Sequence, residues 1–481
     1  MSQYLTKWSG FYILGEAAIR FQLIKNNFLF KTTMRIWIKN PLAVHNHSER
    51  DMRGGVVVNQ GLIEECLELG QSPSGEVDQI FEAGEHVILP GLINTHHHYY
   101  QTLTRAVPEA LNKGLFPWLK TLYPIWAGLD EQMIHASAQL ASCELMLSGC
   151  TTSSDHHYIY PEVAPHAMDV QVNAVREVGL RSVLTRGSMS LGEKQGGLPP
   201  ENTIQDEQTI LSDCERVVSQ YHDPNEGSLL QVAFAPCSPF SVTEALMVQS
   251  AELARKLGVR LHTHLAETED ETQFCLKQFG CRPVDYLERV GWLNDDVWLA
   301  HGIFFDDDEI KRLGDAGVGI THCPSSNMLL GSGQCPVQQL EQAGCPVGLG
   351  VDGSASNDCS NLIQEVRQGL LLQRLRYGSD SVSHQAAISW ATKGSAACLG
   401  RNDIGEIRPG KQADLALFKL DELRFSGAGD PLAALILCGA YQADAVMVQG
   451  EWTVKSGELI NFDINELRQT HTQLAERLQG R

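Results

Sequence analysis

Eight short strand candidates recur along the middle of the chain, at 91–98, 150–157, 181–188, 230–237, 260–267, 297–304, 317–324 and 346–353, with helical stretches between most of them. Strand–helix alternation builds a parallel sheet, and eight such units in roughly 300 residues match the count and size of a (β/α)8 barrel. A doubly wound sheet would need a glycine-rich phosphate loop after its first strand; Tyr99, Tyr100, Gln101 and Thr102 stand there instead. The connections carry helix signals. Residues 130–147 read as a helix with Asp130 as N-cap and Gly149 just past its end, and 241–257 as another closed by Gly258.

Both ends of the chain are β-rich. Strands are expected at 35–39, 55–59, 61–65 and 86–89, then a turn and strand over 405–418 and two strands around a glycine turn over 445–454. These ends can pair into one small sheet domain, with 34–90 and 404–460 flanking a barrel of 91–403. Leu467, Leu474 and Leu478 sit at helical spacing, so 461–481 reads as a terminal surface helix. Residues 1–33 form an extension to which no role is assigned. Charged residues interrupt its apolar patches, so no signal peptide is read there.

Five of the eight runs finish in metal or proton chemistry. The first ends in His96-His97-His98, and in an extended strand His96 and His98 share a face while His97 points away. The fifth carries His262, His264 and Glu267, the sixth ends in His301, the seventh holds His322, and the eighth ends in Asp352. Active sites of such barrels lie at the C-terminal strand ends. Two histidines from strand one, one from strand five and an aspartate from strand eight would give one divalent metal an open, catalytic set of ligands: His96, His98, His264 and Asp352. Imidazole suits zinc and iron alike, with zinc expected first. His262 lies on the same face as His264 but two residues deeper, and periodicity alone leaves it open as a ligand. His156, His157 and His322 stay open too. Glu267, three residues beyond His264, is placed to shuttle the proton of a metal water. His301 is placed to hydrogen-bond the developing oxyanion, and Asp352 to accept the water proton.

A formal net charge of −21 argues against nucleic acid and anionic membrane surfaces as partners. Thirteen cysteines without a Cys-x-x-Cys pair fit reduced thiols in a cytoplasmic protein.

The stretches Pro90-Gly-Leu-Ile-Asn-Thr-His-x-His98, His264-Leu-Ala-Glu267, Ala300-His-Gly302, His322-Cys-Pro-x-Ser-Asn327 and Val351-Asp-Gly-x-x-Ser-Asn357 together resemble the amidohydrolase superfamily, in the branch of chlorohydrolases and aminohydrolases. The resemblance spans about Arg35 to Gly457. It implies a distorted (β/α)8 barrel, a β-sandwich made from both chain ends, one zinc, hydrolytic deamination and a homo-oligomer. It also implies the roles given above for His96, His98, His264, Asp352, Glu267 and His301. Local details within the branch imply a free oxopurine base rather than a nucleoside, because Pro117 precedes Trp118 where nucleoside deaminases carry an acid. Gln101, Trp118, Arg186 and Cys237 are the residues it implies for the base pocket. The expected substrate is 8-oxoguanine, giving urate and ammonia, with guanine, isocytosine or a hydroxytriazine as alternatives. The complete ligand set together with Glu267 argues against a non-catalytic binding module on the same fold.

Overall fold

In the computed structural model, residues 34–46, 50–460 and 462–481 are described; the extension read at 1–33 lies outside them. The eight runs close into a parallel barrel. Its strands in chain order are β1 (Leu92–Asn94), β2 (Cys150–His157), β3 (Arg181–Ser188), β4 (Leu230–Pro236), β5 (Leu261–Leu265), β6 (Val297–His301), β7 (Gly319–His322) and β8 (Val347–Leu349). Each pairs in parallel with the next, and β8 closes on β1 through Leu349 and Asn94. Strands covered on both faces read as continuous apolar runs. Inside the barrel, Ile93, Val183, Ala233 and Trp298 form a plug with Ala396, Cys398, Leu399 and Ile404. The outward residues pack beneath the surrounding helices in the main core, which includes Leu92, Leu184, Phe234, Leu261, Leu299 and Ile320.

The helix signals work as capping chemistry requires. Asp130 accepts from the Met133 N–H at the start of Glu131–Leu147, and Gly149 beyond its end has φ +90°. The next expected helix starts later than read, at Glu244–Leu257. Thr243 supplies its N-cap, while Ser238 and Ser241 hydrogen-bond each other in a turn ahead of it. Gly258 closes the helix in a left-handed conformation.

Two expected strands are broken rather than continuous. After Asn94, the first run resumes as His97–His98, which pairs in parallel with Asp352–Gly353 of the eighth. In the gap, the Asn94 side chain accepts from the Val351 N–H at 2.9 Å, and Asp352 N–H donates to the His96 carbonyl at 3.1 Å. The break lets the rim splay around the site while these bonds satisfy the backbone.

The chain ends supply two sheets. One orders Leu62–Leu67, Gly55–Asn59, Ile36–Lys39 and Gln79–Glu82. The other orders Ala43–Val44, His86–Pro90, Leu415–Lys419, Ala445–Val448, Glu451–Lys455 and Glu458–Leu459. Ile36, Ile38, Val56, Ile88, Leu415 and Met447 from the two sheets share one apolar cluster. The terminal helix Ile464–Gln479 buries Leu467 and Leu474, and its Arg477 pairs with Asp130. None of the described helices is long and apolar enough to cross a membrane.

Candidate metal centre and substrate cavity

At the C-terminal rim, buried side chains from β2, β5 and β6 and from the rim segments that follow β1, β5 and β8 converge. The rings of His96 and His98 meet edge to face at 4.7 Å, and His96 lies 4.9 Å from the His264 ring. Ligand-capable atoms of His96, His98, His156 and His264 lie close enough to hold a metal ion, as do those of His96, His301 and Asp352. Asp352 Oδ1 is 3.3 Å from Nε2 of both His96 and His98.

The hydrogen bonds fix which nitrogen of each ring carries a proton. His262 Nδ1 faces the Trp298 carbonyl at 2.8 Å, which can only accept, so that nitrogen donates. Burial holds the His262 and His96 pKa values well below the ordinary range, so both rings are neutral. His262 Nε2 therefore accepts from His96 Nδ1 at 2.8 Å, and the lone pair of His96 is left on Nε2. That atom is buried and has no hydrogen-bond partner. His98 Nδ1 donates to the His156 carbonyl at 2.7 Å and His264 Nδ1 to the Cys237 carbonyl at 2.6 Å. Their Nε2 atoms face each other at 3.1 Å. These Nε2 atoms and the Asp352 carboxylate are donor types that suit a divalent cation, and a second partner orients each ring.

The two histidines of β5, His262 and His264, are placed differently. Both nitrogens of His262 are engaged, and it stands behind His96 rather than with the Nε2 atoms of His96, His98 and His264. His156 is in the same cluster and stacks on His264 at 4.7 Å; its Nε2 is turned to the Ala235 carbonyl at 2.9 Å, and its Nδ1 is buried without a hydrogen-bond partner. His157 and His97 lie outside the cluster, on the alternate positions of their strands.

Glu267 and His301 stand beside this group. His301 Nε2 is 3.5 Å from Glu267 Oε2 and 3.9 Å from Asp352 Oδ2. Burial works against a charge on His301, but Glu267 and Asp352 outweigh it and raise its pKa. Burial is also the main influence on Glu267 and lifts its carboxyl above the ordinary range against the pull of His301. A carboxyl raised in this way holds a proton more readily than an exposed glutamate, as a proton carrier should. For Asp352 burial is opposed by His96 and His98, which hold it well below the ordinary range, as a carboxylate. Ala266, His301 and Asp352 adopt φ of 52°, 74° and 61°. Non-glycine residues in that region are strained by about 1–3 kcal/mol each and cluster at functional sites.

The cavity above this group is lined by Gln101, Leu115, Trp118, Leu119, Tyr123, Tyr158, Cys237, Phe240 and Leu330, and reaches His98, His264, Glu267, His301 and Asp352 at its floor. Leu115, Trp118, Leu119 and Tyr123 come from one face of the helix Leu115–Trp126, which roofs the site. Trp118 Nε1 donates to the Ala355 carbonyl at 3.2 Å and Gln101 Oε1 accepts from the Ala355 N–H at 3.3 Å. A Cβ at Gly353 would fall 1.9 Å from Gln101 Oε1, so only glycine admits this close packing.

Arg186 does not line this cavity, a correction to the expected pocket. On β3, Val183 belongs to the barrel plug and Leu184 to the outer core. Alternation then sends Arg186 outward with Leu184. Its guanidinium is buried against Asp213 at 2.7 Å and Gln205 at 2.8 Å, and stacks on Tyr160.

Sequence reasoning missed several supporting groups. Asn327 Oδ1 accepts from His301 Nδ1 at 3.0 Å, and Ser326 Oγ donates to Asp352 Oδ2 at 2.6 Å. Both residues stand in the quoted His-Cys-Pro-x-Ser-Asn stretch, so the signal was present without its meaning. Tyr123, Tyr158 and Phe240 gave no signal beyond their apolar character.

An eight-stranded parallel barrel with a His/Asp group able to bind a metal at its C-terminal rim, a buried glutamate and a cavity above them defines a class of barrel hydrolases. The chain belongs to the amidohydrolase family, whose profile matches residues 87–453. It is 58% identical over 444 residues to 8-oxoguanine deaminase of Pseudomonas aeruginosa, covering 92% of this chain and 99% of that one. It is 38% identical over 386 residues to hydroxydechloroatrazine ethylaminohydrolase of Pseudomonas sp. strain ADP, covering 79% and 80%. Among solved structures, atrazine chlorohydrolase from Arthrobacter aurescens TC1 complexed with zinc superposes with a TM-score of 0.86 at 29% identity, over 92% of this chain and 100% of that one.

Proposed function

We propose that this chain is a hydrolytic deaminase that converts 8-oxoguanine to urate and ammonia. It is an amidohydrolase acting on C–N bonds of cyclic amidines. The observation that carries the substrate is the 58% identity to 8-oxoguanine deaminase across almost the whole of that relative.

In this reading His96, His98, His264 and Asp352 hold one divalent metal, zinc ahead of iron. The Nε2 geometry supports the set, and the zinc-bound triazine relative supports the metal. Such an ion supplies a Lewis acid and lowers the pKa of a water to ~7. The residues do the rest. Gln101, Trp118 and Cys237 hold the flat base over the floor of the cavity, with the carbon bearing the exocyclic amine turned toward Glu267 and His301. Glu267 takes the proton of the attacking water and delivers it to the ring nitrogen. His301 Nε2 steadies the negative charge that grows on the added oxygen. Asp352 relays the second proton to the amine, the C–N bond breaks, and ammonia leaves while a carbonyl remains. Water supplies the oxygen and both hydrogens, so the reaction balances without a redox partner.

The same reading takes 34–90 with 404–460 as a sandwich domain, 91–403 as the barrel and 461–481 as a terminal helix. It includes a homo-oligomer and a cytoplasmic location; thirteen cysteines that form no disulfide support the latter.

The test is ammonia release from 8-oxoguanine, guanine, isocytosine and hydroxyatrazine, with wild type and Glu267→Gln and with bound metal quantified. Turnover of 8-oxoguanine far above the others, lost in the variant with metal retained, is the expected result. Preference for another base would overturn the substrate, and absence of both metal and turnover would overturn the enzyme.

A further inference from the structure

We infer that Glu271 is a positioning residue that aims the Glu267 carboxylate by gripping the backbone on which it stands. The inference rests on the reading of Glu267 as the proton carrier.

β5 ends at Leu265, and the chain turns through left-handed Ala266 into Glu267 before the helix Glu269–Phe279 begins. Glu271, in the first turn of that helix, is fully buried. Its two oxygens accept from two consecutive amides: Oε1 from the Ala266 N–H at 2.9 Å and Oε2 from the Glu267 N–H at 3.2 Å. The opposite side of the same peptide is also held. The Ala266 carbonyl accepts from the N–H groups of Ile303 at 2.9 Å and Phe304 at 3.0 Å. The peptide joining Ala266 to Glu267 is thus held by its N–H and its C=O together, which fixes the N–Cα bond from which the Glu267 side chain departs. Ile303 and Phe304 follow directly on His301 and Gly302, so the same bonds set Glu267 against His301 across their 3.5 Å separation.

An ordinary helix cap accounts for this less well. A glutamate in the first turn of a helix commonly reaches back to the N-cap amide. Here the N-cap is Thr268, and Glu271 passes over it to the two residues before it. Among the described residues its carboxylate forms no ion pair, so two backbone donors alone compensate a buried acid, an arrangement that is costly unless the bonds are needed. Glutamine cannot replace it. It has one acceptor oxygen, and its amide nitrogen would meet the second N–H donor to donor.

The experiment is a double-mutant cycle of Glu271→Gln and Glu267→Gln in the metal-loaded enzyme, reading kcat and KM for 8-oxoguanine, metal content and melting temperature. A misplaced general acid–base group lowers kcat by about 10–100-fold. Glu271→Gln is expected to show that loss with KM within about twofold and metal content unchanged, and to cost nothing further in the Glu267→Gln background. Full activity in Glu271→Gln, or losses that multiply in the double variant, would overturn the inference. Full activity in Glu267→Gln would instead overturn the reading beneath it. If Glu271→Gln fails to fold, Glu271→Asp, which keeps the charge and withdraws it by one methylene, is put through the same cycle with the same two outcomes.

Discussion

Asn327 holds His301 by accepting its Nδ1 proton at 3.0 Å, leaving Nε2 turned toward Glu267 and Asp352. Ser326, the residue before it, grips Asp352. One short helix, Pro324–Leu329, therefore sets the direction of two groups that arrive on different strands.

Asn327→Leu keeps the volume and removes the acceptor. Loss of a partner that orients a reacting ring costs about 10–100-fold in activity. The expected outcome is a fall of that size in kcat with metal content unchanged, read by steady-state kinetics and metal analysis. Unchanged kcat would show that His301 needs no such support.

His262→Phe preserves a ring to stack on Trp298, which His262 now faces at 4.4 Å, but removes the acceptor for His96 Nδ1. The proton on His96 is then free to move to Nε2, where it blocks the lone pair. Metal affinity is expected to fall about 10–100-fold, measured by competition with a chromogenic chelator. Equal affinity in the two proteins would count against the orienting role.

The terminal helix carries a pH-dependent contact. His471 bonds Thr102 Oγ1 at 3.0 Å, and burial lowers its pKa to about 4. Because the folded value lies below the unfolded one near 6.5, its contribution is complete above pH ~6.5 and is lost as pH falls toward 4. The loss is on the order of 3 kcal/mol. Urea unfolding of wild type at pH 7.5 and 4.5 is expected to show it, and His471→Gln, which can still bond Thr102, to remove most of it. A wild type and variant with the same pH dependence would exclude His471 as its source.

At the opposite end of the barrel, Arg181 grips Asp414 through two bonds of 2.8 and 2.9 Å, both side chains buried. Arg181→Met leaves that carboxylate without its partner, and breaking a buried pair costs about 3–5 kcal/mol. Denaturant unfolding is expected to show the loss while kcat per folded molecule stays unchanged. A reduced kcat would mean that the strap between β3 and the outer sheet reaches the active end.

Much of this was legible before the structure. Period-two spacing placed His96 and His98 together, and strand ends predicted where His264, Glu267, His301 and Asp352 would meet. The depth difference between His262 and His264 was also readable, but the relay from Trp298 through His262 to His96 was not, because it links β6, β5 and β1. Arg186 was misplaced although alternation along β3 held the answer: Val183 and Arg186 have opposite parity. The left-handed turns at Ala266, His301 and Asp352 left no trace, since none of these residues is glycine. Glu271 was hidden for a simpler reason, as an acid in the first turn of a helix is unremarkable in sequence.

The roof helix Leu115–Trp126 belongs to the connection between β1 and β2, whereas the proposed metal ligands sit on strands or in the rim segment that continues them. Four of the side chains that line the cavity thus stand on a piece of chain separate from its floor, while Gln101, Tyr158, Cys237, Phe240 and Leu330 line it from other segments. A change in the roof helix can reshape one wall of the cavity without moving the residues at its floor. The atrazine chlorohydrolase structure keeps this backbone at a TM-score of 0.86 with 29% identity, and the roof is the wall at which to begin when recruiting this scaffold for a new ring system.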